Sequence, residues 1–223
     1  MSMWKHKLAA KVFPWHFGTL DWINRNALVQ RWIAEQRGRI PTLDDFHGFH
    51  RHVHDEICGG NTIDFLEFGV CAGDSIRLWS QLNNDPNSRF IGFDSFEGLP
   101  EHWSRNYPKG ALDVGGVIPQ IDDERVSFVK GWFQNTLPKF LNQFTPRSRL
   151  VVHSDSDLYS STLFTLVNLN ALLVPGAVLI LDDFSMATHV FRAFSDYRNA
   201  FWRSAQPVAM TSDYAARVAF VLD

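Results

Sequence analysis

A change of hydrophobic pattern near residue 62 constrains this 223-residue chain more than any other feature. Beyond that point, short apolar runs alternate with stretches of helical periodicity. Runs that are apolar on both faces are typical of parallel strands covered by helices on both sides. They lie at Ile63–Val70, Arg89–Asp94, Arg125–Lys130, Leu150–Asp155 and Ala177–Asp182. The alternation predicts an α/β fold with a doubly wound, mostly parallel sheet.

The helices predicted between and after these runs are Ser75–Leu82, Asn135–Gln143, Ser161–Leu173 and Val190–Phe201. Two closely spaced runs end the chain, at Pro207–Thr211 and Arg217–Leu222. Because only a short connection separates them, we expect an antiparallel pair at one edge of the sheet.

The first sixty residues are predicted to be helical, and no strand signal precedes residue 62. Thr42 is a plausible N-cap for a second helix opened by Pro41, and Gly59-Gly60 would end it. We therefore expect a helical extension or lid over residues 1–60 and a main domain over residues 61–223. The first residues favour an arm that packs on the domain or on a second subunit, with an interfacial membrane helix as the alternative.

The composition limits the classes of partner and the cellular locations that fit this chain. Lys and Arg number 21 against 24 Asp and Glu, so there is no basic surplus for a nucleic-acid backbone. No apolar window reaches the length of a membrane span, and the start lacks the features of a signal peptide. Two cysteines, Cys58 and Cys71, cannot form a disulfide scaffold, which favours a cytoplasmic protein. The aromatic content of 14% suits subunit contacts, and we expect a homo-oligomer, with a dimer plausible.

Two turns at strand ends suggest a nucleoside ligand. The first contains Glu67, Gly69 and Gly73, and its glycines let the backbone approach a ligand closely. Glu67 would repel a pyrophosphate but suits a cationic ligand. Asp94 ends the next run, where an acid can accept the hydroxyls of a ribose. S-adenosylmethionine fits this combination, whereas a short-chain dehydrogenase would need a Tyr-x-x-x-Lys pair that is absent.

An aromatic turn, Gly131-Trp132-Phe133, follows the third run. These rings could flank an adenine by stacking, or they could form a core aromatic pair.

Acidic residues follow the fourth and fifth runs. If these strands are neighbours, Asp155, Asp182 and Asp183 converge at the open end of the sheet and repel one another. A hard divalent cation relieves that repulsion, and ligands that are all oxygen suit Mg²⁺. The alternative is that these residues cap helices or pair with Arg and Lys.

Several of these segments resemble the macrocin O-methyltransferase (TylF/MycF-like) family of class I S-adenosylmethionine-dependent methyltransferases. The resemblance covers roughly residues 60–223. It rests on Phe65–Ser75, GFDSFEGLP at 92–100, Gly131-Trp132-Phe133 with Thr136-Leu137-Pro138, DSDLYSST at 155–162, and Asp182-Asp183-Phe184. The chain departs from the family after Asp183, where the usual Tyr-Gly is missing.

The resemblance implies a Rossmann-like, seven-stranded sheet with an antiparallel final strand. It also implies methylation of a hydroxyl on a small molecule, often a sugar of a natural product, with Mg²⁺. By position, Asp155, Asp182 and Asp183 match its metal ligands, and Asp155 matches its base, with His153 as the alternative base. The predicted cofactor contacts are Glu67, Phe68, Gly69, Gly73, Ser75, Asp94, Ser95, Phe96, Gly131, Trp132, Phe133 and Asp155.

Acceptor contacts are less constrained. The long Gly- and Pro-containing connection over residues 97–124 is typical of a lid, and Trp103 within it could close over the acceptor. Tyr159 could contact the acceptor or pack on its helix. His47, His50, His52 and His54 could form a metal cluster, an exposed helix face or a rim of the substrate cleft. A catechol or other phenolic acceptor, and a non-catalytic nucleoside-binding module, remain alternative functions.

Overall fold

The computed structural model describes residues 17–223 and contains an eight-stranded, mostly parallel sheet. The sheet order is β1-β7-β8-β6-β5-β2-β3-β4, in which β8 runs antiparallel to both β6 and β7. The strands are β1 (Thr42–Leu43), β2 (Ile63–Phe68), β3 (Arg89–Asp94), β4 (Val126–Lys130), β5 (Arg149–Ser154), β6 (Val178–Leu181), β7 (Ala205–Thr211) and β8 (Val218–Leu222).

Helices cover both faces of this sheet. They are α1 (Phe17–Gln36), α2 (Phe46–His52), which continues into a π-helical turn over Val53–Ile57, α3 (Asp74–Leu82), α4 (Phe133–Leu141), α5 (Tyr159–Leu169) and α6 (Val190–Phe201). One apolar layer packs α1, α4, α5 and α6 against the sheet, and a second packs α2 and α3 against the opposite face. The predicted doubly wound α/β fold is therefore confirmed.

The region before residue 62 corrects one expectation. Thr42 does not cap a helix but pairs in parallel with Met210 of β7, so the sheet has eight strands instead of seven. Helix α2 begins after Asp45, whose Oδ1 accepts a hydrogen bond of 2.8 Å from the Gly48 N–H. A two-residue strand has no periodicity that a sequence could reveal. The arm expected over the first residues lies outside the described part of the chain.

Strand β4 also differs from expectation. Among the described strands it is an edge strand that pairs with β3, and Ser127 and Lys130 are exposed. The run around it is therefore half-buried instead of apolar on both faces. The other predicted strands and helices are found, with shifts at their ends of a few residues.

The change of strand order indicates at which end of the sheet a ligand would bind. The chain passes from β2 outward to β3 and β4, then returns to β5 on the other side of β2. Glu67 is paired with His153, and Phe68 with Ser154, so β2 and β5 end side by side. Ligands of such sheets bind outside the carboxyl ends of the strands at this switch point.

Within residues 17–223, no helix has the length and apolar character that a membrane crossing requires.

Candidate functional site

The turn after β2 brings two loops into direct backbone contact. Gly69 adopts a φ of +94°, and a Cβ at this position would lie 1.8 Å from the carbonyl oxygen of Asp155. Gly73, with a φ of +85°, is the residue that precedes the first turn of α3. A side chain at Gly69 would therefore force apart the loops that follow β2 and β5.

Asp94 ties the end of β3 to this turn. Its Oδ2 accepts hydrogen bonds of 2.8 Å from the backbone N–H groups of Val70 and Cys71. Its Oδ1 accepts another of 2.8 Å from the N–H of Phe96. Three backbone donors thus hold the half-buried carboxylate in place. Oδ2 thus has both lone pairs engaged, and Oδ1 keeps one lone pair that can accept a ligand hydroxyl.

A concave pocket opens between these loops and the ends of β4 and β5. Several predicted cofactor residues line it together: Gly69, Asp94, Ser95, Trp132, Phe133 and Asp155. The connection over residues 97–124 forms one wall through Gly98, Leu99, Pro100 and Leu112. The chemistry-bearing ends of four strands therefore share one opening.

Other predicted cofactor residues do not line this pocket. Glu67 is fully buried, and the Ser75 hydroxyl donates a hydrogen bond to its Oε1. Phe68 stacks on Phe93 in the core with ring centroids 4.7 Å apart. Phe96 is 1% exposed. Phe68 and Phe96 are packed in the two apolar layers, and Gly73 and Gly131 shape turns at positive φ.

Acidic side chains converge at the ends of β5 and β6. Ligand atoms of His153, Asp155 and Asp182 all lie within 4.8 Å of one another. So do those of Asp155, Asp157 and Asp183. Each of the three predicted metal ligands therefore belongs to one of two neighbouring groups. Asp182 is in the first group, Asp183 is in the second, and Asp155 is in both.

The electrostatics of this acid cluster, Asp155, Asp157, Asp182 and Asp183, disfavour negative charge. Burial and the neighbouring Asp182 raise the pKa of Asp155 well above its usual range. Burial and the hydrogen bond to Asp183 raise the pKa of Asp157 to about 8. Asp182 is partly compensated, because the Arg217 Nε donates to its Oδ2 at 2.9 Å. Without a cation the cluster holds protons that isolated carboxyl groups would release.

Asp157 is a member of the cluster that the sequence analysis did not assign. It lines the pocket, is 7% exposed and adopts a φ of +57°. Its place two residues after Asp155, past the end of the strand, was the available signal. Alternation along a strand would put both side chains on one face.

His153 lies beneath the acid cluster and is fully buried. Its Nδ1 is 3.6 Å from Glu67 Oε1, and its ring centroid is 5.2 Å from that of His50. Burial lowers the pKa of His153, but Glu67, Asp155 and Asp182 outweigh that effect, and the net pKa is raised. The residue does not line the pocket.

The two predicted acceptor contacts lie outside this pocket. The Tyr159 hydroxyl donates to Asp196 Oδ2 at 3.0 Å, and Arg192 lies over its ring at 4.5 Å from the centroid. Trp103 packs on Tyr107 with ring centroids 4.9 Å apart. The contacts of Tyr159 join helices α5 and α6, and the contact of Trp103 lies within its own loop. Both rings are therefore packed against other residues of the chain.

The four-histidine motif does not converge. His50 is buried and its Nδ1 accepts a 2.9 Å hydrogen bond from the Trp79 indole N–H. His54 Nδ1 lies 2.7 Å from Asp55 Oδ1. Among residues 17–223, neither group of three or more candidate ligands includes His47, His50, His52 or His54. The second expectation, an exposed helix face, is also incomplete because His50 and His54 are buried.

Comparison of the sequence with known proteins finds relatives that are named O-methyltransferases. One relative, 8-demethyl-8-(2,3-dimethoxy-alpha-L-rhamnosyl)-tetracenomycin-C 4'-O-methyltransferase of Streptomyces olivaceus, is 32% identical over 161 residues, 62% of this chain and 59% of its own. Another, demethyldecarbamoylnovobiocin O-methyltransferase of Streptomyces niveus, is 30% identical over 173 residues, 68% of this chain and 64% of its own. The matched region thus spans less than two thirds of each relative.

Solved structures support the fold. The O-methyltransferase NovP superposes with a TM-score of 0.62 at 24% identity, covering 77% of each chain. The calicheamicin methyltransferase CalS11 superposes with a TM-score of 0.64 at 17% identity, covering 77% of this chain and 76% of its own. Residues 119–213 also match the family described as Macrocin-O-methyltransferase (TylF). The resemblance of this chain to the macrocin O-methyltransferase (TylF) family, predicted from its motifs, is therefore confirmed.

Proposed function

We propose that this chain is an S-adenosylmethionine-dependent O-methyltransferase that methylates a hydroxyl of a sugar or glycosylated natural product with the help of Mg²⁺. The observation that carries the proposal is the shared pocket. Asp94, held by three backbone donors, and Asp155 and Asp157 of the acid cluster line the same opening. This shared opening supports a nucleoside site next to a cation site.

The chain offers distinct contacts to each part of the cofactor. Asp94 can accept a ribose hydroxyl through the remaining lone pair of Oδ1. Trp132 and Phe133 can flank the adenine. Gly69 also lines the pocket and would present only backbone to the methionine portion. When bound, the cofactor supplies the electrophilic methyl group, which leaves the protein to position the acceptor and to accept its proton.

The acid cluster has the donor set for a magnesium ion. Asp155, Asp157, Asp182 and Asp183 present carboxylate oxygens, and burial without a compensating cation raises the pKa of three of them. Such a set fits Mg²⁺. When bound, the ion would lower the pKa of an acceptor hydroxyl and orient it. Asp155, which also lines the pocket, is then placed to accept the hydroxyl proton.

The acceptor class is inferred from the relatives, whose names describe methylation of a rhamnosyl tetracenomycin and of demethyldecarbamoylnovobiocin. We extend a small-molecule hydroxyl acceptor to this chain on that basis. The lid over residues 97–124, the division at residue 60 and the homo-oligomer belong to the same proposal. The two free cysteines, Cys58 and Cys71, favour a cytoplasmic location.

The test separates cofactor binding from methyl transfer. Calorimetry with S-adenosylhomocysteine should show binding with and without EDTA. Radiolabelled methyl transfer to a panel of rhamnosides, other glycosides and catechols should give a product with at least one glycoside, and EDTA should abolish it. Transfer to catechols alone would overturn the sugar acceptor. Absence of S-adenosylhomocysteine binding would overturn the function itself, and EDTA-resistant turnover would overturn the magnesium role.

A further inference from the structure

His153 is a buried polar side chain whose hydrogen-bonding capacity is unused. The residue is 0% exposed, and both ring nitrogens lack a hydrogen-bond partner within the described residues. A buried polar atom without a hydrogen-bond partner destabilises the folded chain, because it has lost its bonds to water. Protein interiors leave few such atoms unpaired, and each one calls for an explanation.

The ring lies close to three carboxylates. Nδ1 is 3.6 Å from Glu67 Oε1, and the Ser75 hydroxyl holds that carboxylate by a hydrogen bond. A ring nitrogen also lies within 4.8 Å of oxygens of both Asp155 and Asp182. The parallel pairing of β2 with β5 sets this arrangement, because Glu67 and His153 are direct partners in the sheet.

Metal-binding histidines show the same arrangement. Such a residue commonly donates one ring N–H to a carboxylate, which orients the ring, and coordinates the cation through its other nitrogen. Glu67 is placed to accept the Nδ1 proton, which leaves the unpartnered Nε2 as the nitrogen that could bind a cation held by Asp155 and Asp182.

We propose that His153 supplies a nitrogen ligand to an inner divalent-cation position completed by Asp155 and Asp182, with Glu67 as its orienting carboxylate. This inference rests on the metal-dependent function proposed above. It adds to the all-oxygen set, Asp155, Asp157 and Asp183, which forms an outer position beside the pocket.

The nitrogen donor has a consequence for selectivity. Mg²⁺ prefers oxygen ligands, whereas imidazole suits first-row transition cations. The inner position therefore selects a transition cation such as Co²⁺ or Fe²⁺ over Mg²⁺, and the outer position accepts Mg²⁺. The two positions share Asp155, so occupation of one changes the charge felt at the other.

Co²⁺ titration of the metal-free chain tests the inference without an acceptor or cofactor. Proton NMR in H₂O should show a strongly shifted resonance that disappears in D₂O, as expected for the N–H of a coordinated imidazole. His153→Gln should remove that resonance and weaken Co²⁺ binding about 10- to 100-fold, with less than about a threefold change for Mg²⁺. Glu67→Gln should weaken Co²⁺ binding and shift the resonance.

His50→Gln is the matched control, because His50 is also buried and its ring centroid lies 5.2 Å from that of His153. The exchangeable resonance should survive in this variant. Its absence from the wild-type chain, or its loss only in His50→Gln, would overturn the assignment even if His153→Gln failed to fold. Cobalt binding with Mg²⁺-dependent methyl transfer but no such resonance would refute the nitrogen ligand alone. Failure of S-adenosylhomocysteine to bind would instead count against the proposed function.

Discussion

Two carboxylate sites at the same end of the sheet are built in opposite ways. At Asp94, three backbone N–H groups converge on one carboxylate and hold its charge in place. In the acid cluster, four carboxylates meet with Arg217 bound to Asp182. One site is complete within the chain, and the other is short of positive charge.

This difference indicates what each site requires from outside. Asp94 can bind a neutral hydroxyl without any further change, because its negative charge is already compensated by backbone dipoles. The cluster of Asp155, Asp157, Asp182 and Asp183 must take up protons or a cation. Cofactor binding and metal binding should therefore be separable by substitution.

The largest expected effect is on turnover and tests that separation directly. Asp183→Ala should lower kcat by at least about 10³-fold, because a cation ligand is lost, while S-adenosylhomocysteine affinity changes less than about threefold. Asp94→Ala should weaken that affinity by about 100-fold. Calorimetry and initial rates measure both.

Asp44→Ala provides the control for the loss of an acidic side chain, because Asp44 is exposed and lies outside both sites. Its kcat and cofactor affinity should match those of the wild type. Equal losses of cofactor affinity in Asp183→Ala and Asp94→Ala would show that the two sites act as one.

Gly69 joins the two sites, so the next prediction concerns stability. In Gly69→Ala, the new Cβ would lie 1.8 Å from the Asp155 carbonyl oxygen at a φ of +94°. Either the backbone must shift or the loops must separate, and the free energy of unfolding should fall by at least about 3 kcal/mol. Urea denaturation measures the loss.

Gly110→Ala is the matched variant, because Gly110 has a φ of +83° and open space around its Cβ position. It should lose only about 1 kcal/mol, the cost of the left-handed backbone conformation. Similar losses in both variants would mean that backbone strain alone, without the loop contact, explains Gly69.

The sequence was sufficient for the parts of the fold that rest on long apolar runs. The strands at Ile63–Phe68 and Arg89–Asp94 were predictable because burial on both faces requires apolar residues throughout. The strand at Thr42–Leu43 was not, because its partner β7 lies far along the chain and two residues carry no pattern. Motif positions placed Asp94 and Asp155 at the correct end of the sheet.

Pairwise geometry was the part that sequence could not supply. Glu67 suggested a ligand contact from its place in a glycine turn, yet its carboxylate is directed toward His153 and Ser75. That outcome depends on the register between β2 and β5, which no local pattern encodes. Tyr159 similarly turns to Asp196 on another helix.

A smaller effect should follow from replacing one carboxyl group of the acid cluster by an amide. At neutral pH in EDTA, Asp157→Asn should raise the melting temperature by about 2–4 °C. The folded chain must keep a proton on Asp157, whose pKa burial and Asp183 raise to about 8, and the unfolded chain releases that proton. The amide has no such requirement and can still donate to Asp183.

Added Mg²⁺ should reverse the order of the two melting temperatures, because the ion is expected to stabilise the wild type more than the Asp157→Asn variant. Asp44→Asn, at an exposed position, should leave both melting temperatures unchanged. A lower melting temperature for Asp157→Asn in EDTA would mean that the carboxylate is satisfied by the protein, as Asp94 is.

The smallest expected effect concerns Tyr159, which belongs to neither of the two carboxylate sites. Its hydroxyl donates to Asp196, and Arg192 covers its ring, so the side chain is satisfied within the chain. Tyr159→Phe should lower the free energy of unfolding by about 0.5–1 kcal/mol and change the acceptor KM less than about twofold. Asp196→Asn should have a similar effect on stability. A large increase in KM for Tyr159→Phe alone would show that the hydroxyl leaves Asp196 to bind the acceptor, which is one of the two alternatives that the sequence left open.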